Sequence, residues 1–188
     1  KKKVDVYEIL TQKANKLDAG SEGLFFLPYL MGERTPHLSA DAKGAFVGIT
    51  ARHTRDHIIR SVIEGITFGM KDSLEIMKDQ GVKIDQIRLT GGGAKSKFWK
   101  KLQANIYNSE VVTVSSSEGP AFGAAIMAGV GCSVFGSIEE ATENIIKVKE
   151  RIEPEKSEVK KYKPLYEEFK SLYPALKPEF EKISDLIK

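Results

Sequence analysis

Three consecutive glycines, Gly91-Gly92-Gly93, are followed by Ala94-Lys95-Ser96-Lys97. Before them, Ile87 and Leu89 alternate in a short segment that reads as a strand over 86–90; after them comes a helical pattern over 96–107. A strand that ends in glycines and opens a helix lets a ligand come close to backbone. Glycine has no Cβ and tolerates positive φ, and the unpaired N–H groups of a helix start favour anions. Two familiar phosphate motifs fail on spacing. In the phosphate loop the residue before Lys-Ser is glycine, but Ala94 stands there and the leading glycine falls at Leu89. In the dinucleotide fingerprint the third glycine falls at Ser96. A tight structural turn uses the same glycines, so the motif alone leaves both readings open.

Other reactive residue types point to structure. His53 and His57 are four apart but straddle a helix start at Thr54 with no third ligand near in sequence, so they read as surface or capping histidines. His37 lies in a polar connection. No metal site is expected. Ser115-Ser116-Ser117 has no Gly-x-Ser-x-Gly elbow around it, which argues against a nucleophilic triad. Phe98 and Trp99 beside the glycines read as core, as do Met70 and Met77 by helical spacing. Cys132 is the single cysteine, which excludes an internal disulfide and a Cys-based zinc cluster and suits a reducing compartment.

The elements that must position the glycine turn follow from periodicity. A helix is expected over 4–17, an extended segment over 24–30 with Pro28 marking an edge or bend, and a strand over 44–50. Thr54 caps a long helix closed by Gly81, with Ile58, Ile59, Val62, Ile63, Ile66, Met70, Leu74 and Met77 on one broad face. Gly65 and Gly69 inside it each cost about 1 kcal/mol against Ala, so another backbone is expected to pack closely on that side. A second strand over 111–114 precedes a helix opening at Pro120. Strand, helix, strand with short turns predicts parallel pairing with a right-handed crossover. After Gly136 the chain reads as helical: Ser137 caps a helix to about 148, and a last helix from 164 is interrupted near Pro174 and Pro178. The fold class is α/β.

The 188 residues suffice for one domain, or one plus a tail, with a core that needs no staples. Lys and Arg total 29 against 26 acids; a net charge of +3, scattered along the chain, is no nucleic-acid footprint. The mixed charges over 147–163 read as a solvated surface. Residues 119–138 are uncharged and long enough for a bilayer, but Pro120, five glycines and two serines read as a packed interior helix and a loop, not a membrane span. Lys1-Lys2-Lys3 opens no signal or transit peptide, and the absence of an initiating Met fits a piece of something longer.

Several segments together resemble the FGGY carbohydrate kinase family. The run from Phe26 to His37, with Gly32-Glu33-Arg34-Thr35-Pro36-His37, is similar to the signature of its xylulose-specific branch. Gly44-Ala45-Phe46-Val47-Gly48-Ile49, followed after seven residues by His57-Ile58-Ile59-Arg60-Ser61-Val62-Ile63-Glu64, fits the family's C-terminal pattern. Gly91 to Trp99 looks like its nucleotide segment, and Glu118 to Ala125 like the small-residue segment after it.

The resemblance implies a C-terminal lobe of the actin and hexokinase type (ribonuclease H-like), with a mixed sheet lacking its first strands and with C-terminal helices. It implies residues 1–150 as the nucleotide-binding lobe and 151–188 as a helical extension. ATP with Mg is the implied cofactor, ATP/ADP the ligand of this lobe, and the sugar is bound mainly by an N-terminal lobe absent from the chain. The intact enzyme would phosphorylate D-xylulose. Alternatives are another pentulose, a polyol, gluconate, or a stand-alone nucleotide-binding module of the actin-like superfamily. By carry-over Gly91, Gly92 and Gly93 lie along the nucleotide, Ala94 lines its pocket, and Lys97 stands where relatives place an amide. The catalytic base, an aspartate, is expected upstream, so no catalytic residue is assigned here. Arg34 reads as an interlobe or structural ion partner and Glu64 as packing or capping. A cytoplasmic setting follows, with no membrane partner and with a homodimer admitted.

Overall fold

The computed structural model describes residues 6–115 and 119–187. Helix α1 (Val6–Ala14) leads into β1 (Phe25–Pro28), which pairs antiparallel with β2 (Gly44–Val47), Phe25 opposite Val47. Helix α2 (Arg55–Asp79) follows, then β3 (Ile87–Leu89), α3 (Lys97–Tyr107) and β4 (Val111–Val114). As the short turns predicted, β3 and β4 are parallel, with Ile87 opposite Val111 and Leu89 opposite Thr113. Then come α4 (Pro120–Gly131), α5 (Ile138–Ile145), β5 (Val148–Ile152) and α6 (Lys156–Leu186). β5 lies antiparallel to β4, which makes the sheet mixed, in the order β3-β4-β5.

β5 corrects the expectation that the chain after Gly136 is helical, with one helix to about 148 and a last one from 164. Lys149, Glu150 and Arg151 make the segment look like a charged surface, and its side chains are largely exposed. Backbone pairing to the buried β4 overrides that composition. Its charges find partners: Arg151 bonds Glu110 at 2.7 Å, and Glu150 pairs with the buried Lys100 of α3. The strand also runs through the expected boundary at 150.

α2 begins as expected. Thr54 caps it, and the backbone N–H of Thr54 donates to His57 Nδ1 at 3.1 Å. Its buried face is rotated from the one the apolar spacing gave, for Met70 and Met77 are 39% and 38% exposed. Arg60, Ser61, Glu64, Thr67, Phe68 and Asp72 are buried instead. The glycines decide the rotation. An added Cβ at Gly65 would stand 2.1 Å from the Phe26 carbonyl oxygen, so α2 lies directly on β1 there. Glycine carries no hydrophobic signal, and the polar side chains beside it can be buried because each has a hydrogen-bond partner: Arg60 and Glu64 each other, Ser61 and Thr67 the carbonyls of Ile58 and Ile63, and Asp72 the Tyr166 hydroxyl.

α6 corrects a second expectation. It begins eight residues before Pro164 and passes without a break through Pro164, Pro174 and Pro178. Each interior proline costs about 3 kcal/mol of helix stability. Against that stands a buried stripe of Tyr162, Tyr166, Phe169, Tyr173 and Phe180, each side chain contributing about 1.5–3 kcal/mol. All three prolines sit on the exposed face. The stripe meets Tyr29, Phe68, Leu102 and Ile106 in one core.

α4 corrects a third. Expected inside, it packs on α5 and buries only Ile126, with Met127 60% exposed. Its alanines and glycines offer little apolar area to any neighbour, so composition alone does not draw it inward. No helix among the described residues is long and apolar enough to cross a membrane.

Candidate functional site

Because β3 and β4 are parallel and in register, the turns that follow them leave the same end of the sheet. In open α/β sheets that end is where ligands gather. Gly91 has φ +71°, a left-handed conformation that glycine adopts without strain. Gly92 is right-handed helical, and the chain then makes a 3-10 turn, Gly93–Lys95, with Lys95 N donating to Gly92 O at 3.1 Å. The glycines therefore do not open α3 directly. That helix starts at Lys97, where the Ser96 hydroxyl accepts from Trp99 N at 3.3 Å.

The turn has an open face and a floor. An added Cβ at Gly91 or Gly92 meets nothing within 4 Å, whereas at Gly93 it would lie 3.3 Å from the Trp99 ring. Among the described residues, the N–H groups of Gly91 and Gly92 donate to no backbone acceptor. Trp99 is held beneath by its Nε1–H, which donates to Thr67 Oγ1 of α2 at 2.9 Å. Sequence placed Trp99 in the core; its partial exposure under Gly93 makes it the support of the turn as well. Ala94 follows Gly93 and is half-buried, while Lys97 is exposed and forms no ion pair among the described residues. Open backbone donors at Gly91 and Gly92, beside a Gly93 held on a fixed aromatic ring, suit a polar-edged ligand, and an adjacent ammonium suits its anionic part.

The turn after β4 is tied down at Ser115, whose hydroxyl accepts from Lys147 N at 3.2 Å. Ser116, Ser117 and Glu118 lie outside the described residues. Pro120 is the first residue of α4, as expected.

The remaining candidates resolve into structure. His53 Nδ1 accepts from Thr50 N at 2.8 Å, so both histidines cap turns. His37 stacks on Tyr173 with ring centroids 3.7 Å apart, and burial holds its pKa below the usual histidine range. Glu64, at 2% exposure, accepts from Gly20 N (3.0 Å), the Ser21 hydroxyl (2.9 Å), Arg60 Nε (2.8 Å) and the Tyr162 hydroxyl (2.9 Å). No oxygen is left to act on a ligand. Arg34 is exposed and has no ion partner among the described residues.

Comparison with known proteins now decides the family. Residues 2–132 match the C-terminal domain of the FGGY family of carbohydrate kinases. The chain belongs to that family. Among curated FGGY relatives, it is 43% identical over 170 residues to a xylulose kinase of Staphylococcus epidermidis, covering 90% of this chain and 34% of the relative. A gluconokinase of Bacillus subtilis is 33% identical over 185 residues, covering 97% and 36%. A ligand-bound xylulose kinase from Lactobacillus acidophilus superposes with a TM-score of 0.84 at 32% identity, over 93% of this chain and 35% of that one. The chain thus spans about a third of the length of the curated relatives it matches. Its mixed α/β fold is that of a C-terminal portion of these FGGY kinases.

Proposed function

We propose that the chain is the nucleotide-holding lobe of an ATP-dependent sugar kinase, with Gly91, Gly92, Gly93, Ala94 and Lys97 as its nucleotide contacts. The observation that carries the reading is the open backbone at Gly91 and Gly92, next to Gly93 on the Trp99 ring, at the end of the sheet where two parallel strands finish. The N–H groups of Gly91 and Gly92 would meet the ligand's acceptors, Gly93 keeps the turn close to Trp99, and the Lys97 ammonium would stand near negative charge. ATP bound with Mg supplies the transferred phosphoryl group. What such a transfer asks of this lobe is positioning and exclusion of misaligned poses.

The general base and the sugar site belong to the absent two-thirds of the kinase, whose N-terminal lobe would complete the cleft. Residues 1–150, with the last two residues of β5, would then form this lobe, and the rest of 151–188, chiefly α6, the helical extension packed on it. The free outer edges of β2 and β3 would receive the lobe's missing first strands. The setting would be cytoplasmic, where ATP is available.

D-xylulose, converted to xylulose 5-phosphate, is the substrate favoured by the identity to xylulose kinases. The similarity to a gluconokinase makes gluconate the second reading. A coupled assay of the full-length protein with D-xylulose and gluconate separates them, and faster turnover of gluconate would replace the first. Gly92→Val in the full-length protein tests the site. The ATP Michaelis constant is expected to rise at least about tenfold with the sugar constant nearly unchanged, because the side chain enters space kept for ligand. An unchanged ATP constant would remove Gly92 from the site.

A further inference from the structure

The connection between β1 and β2 is held more firmly than a surface loop requires. Glu33 and Ser39 bond in both directions, at 2.8 and 2.7 Å, and Leu38 N donates to Arg34 O at 3.1 Å. Glu33 Oε1 accepts from Thr35 N at 2.8 Å. His37 lies 3.1 Å from the Tyr29 hydroxyl and stacks on Tyr173, tying the hairpin to two buried tyrosines of the core.

What this fixed hairpin presents to solvent is apolar. Leu30, Met31 and Leu38 are 72%, 97% and 84% exposed. Leu38 has φ +44°, a left-handed conformation that is strained for a leucine. Arg34 stands among them, exposed and without an ion partner among the described residues. A loop that is anchored and strained, yet shows a leucine and a methionine outward, has the features of a binding surface.

The occupant follows from how much chain the relatives carry beyond this one. Residues 2–132 match a C-terminal domain, and the chain aligns with only 34% of the length of the xylulose kinase relatives. We infer that the hairpin tip is a docking knob for the rest of the kinase polypeptide: Met31 and Leu38 enter an apolar recess there, and Arg34 meets a carboxylate on its rim. A second copy is a poorer fit, since a tip-to-tip two-fold contact would set Arg34 against Arg34. The inference rests on the two-lobe reading given above.

Methionine oxidation by dilute peroxide, read residue by residue by mass spectrometry, tests it in this chain and in the full-length protein. Met31 is expected to oxidise as fast as a free methionine peptide in this chain and at least about tenfold more slowly in the full-length protein. Leu38→Asp in the full-length protein is expected to restore the fast rate. In this chain the same substitution should not lower the melting temperature, because the side chain is already in water and Asp adopts the left-handed backbone more readily than Leu. Equal Met31 rates in the two proteins would overturn the inference. So would protection that appears in this chain and grows with its concentration, which would assign the knob to a second copy. The reading as a sugar kinase is judged separately, by turnover of the full-length protein, which Met31 protection does not require.

Discussion

Glu64 and Arg60 form a buried pair whose every polar atom is engaged. Arg60 donates to Glu64, to the carbonyls of Ala14 (3.1 Å) and Leu17 (2.5 Å), and to the Tyr162 hydroxyl (2.8 Å), so the pair joins α1, α2 and α6. Removing one partner leaves the other charged and buried. Glu64→Ala is therefore expected to lower stability by about 3–5 kcal/mol in urea denaturation; a loss below about 1 kcal/mol would show the network to be dispensable. Asp72 behaves differently. Burial pushes its carboxyl above the usual range, while a 2.6 Å hydrogen bond from Tyr166 pulls it partly back. A carboxyl raised on folding destabilises the fold at pH above its folded pKa, and that cost vanishes below its unfolded value of about 4. Asp72→Asn keeps an acceptor for Tyr166 and removes the charge. The variant is expected to be at least as stable as the parent at pH 7, with the advantage shrinking as pH falls toward 4. A variant less stable at pH 7 would mean that the charge itself holds Tyr166.

At the scale of elements, α2 on β1 is set by two glycines of unequal importance. A Cβ at Gly65 collides with the Phe26 carbonyl at 2.1 Å, whereas one at Gly69 would rest 3.5 Å from Pro28 Cγ. Gly65→Ala is expected to cost about 3 kcal/mol or more, since backbone must move. Gly69→Ala is expected to gain up to about 1 kcal/mol from helix propensity alone. Equal effects in thermal melts would contradict the packing. The close approach was legible from the glycine spacing, and the parallel β3–β4 pair and the caps at Thr54 and Ser137 were legible as well. The burial of Met70 and Met77 was misjudged because counting apolar residues cannot see a face defined by glycine and by polar groups that find hydrogen-bond partners only in the folded core. β5 was hidden by its charges, since an edge strand needs only backbone partners. The unbroken α6 was hidden by three prolines, whose local penalty is outweighed by aromatic residues that meet only in the folded core. At the site, the glycine turn was legible from composition, but its 3-10 continuation and the Trp99 floor depend on packing against Thr67, far away in sequence.

For the whole molecule, the two sheets are small, β1-β2 and β3-β4-β5, and among the described residues β2 ends one and β3 ends the other. Yet a single core runs from Leu27 and Tyr29 through Phe68 to Val111 and Phe169, so the glycine turn is carried on a folded support. The turn is thereby expected to bind nucleotide without the rest of the kinase, though not to phosphorylate sugar. Titration calorimetry of Mg-ADP into this chain, with Mg-GDP as control, addresses this directly. Binding with a dissociation constant of about 1 mM or tighter, about −4 kcal/mol, and weaker for GDP, is the expected result. An absence of heat for Mg-ADP, or equal binding of the two nucleotides, would contradict an adenine-nucleotide site at Gly91–Ala94.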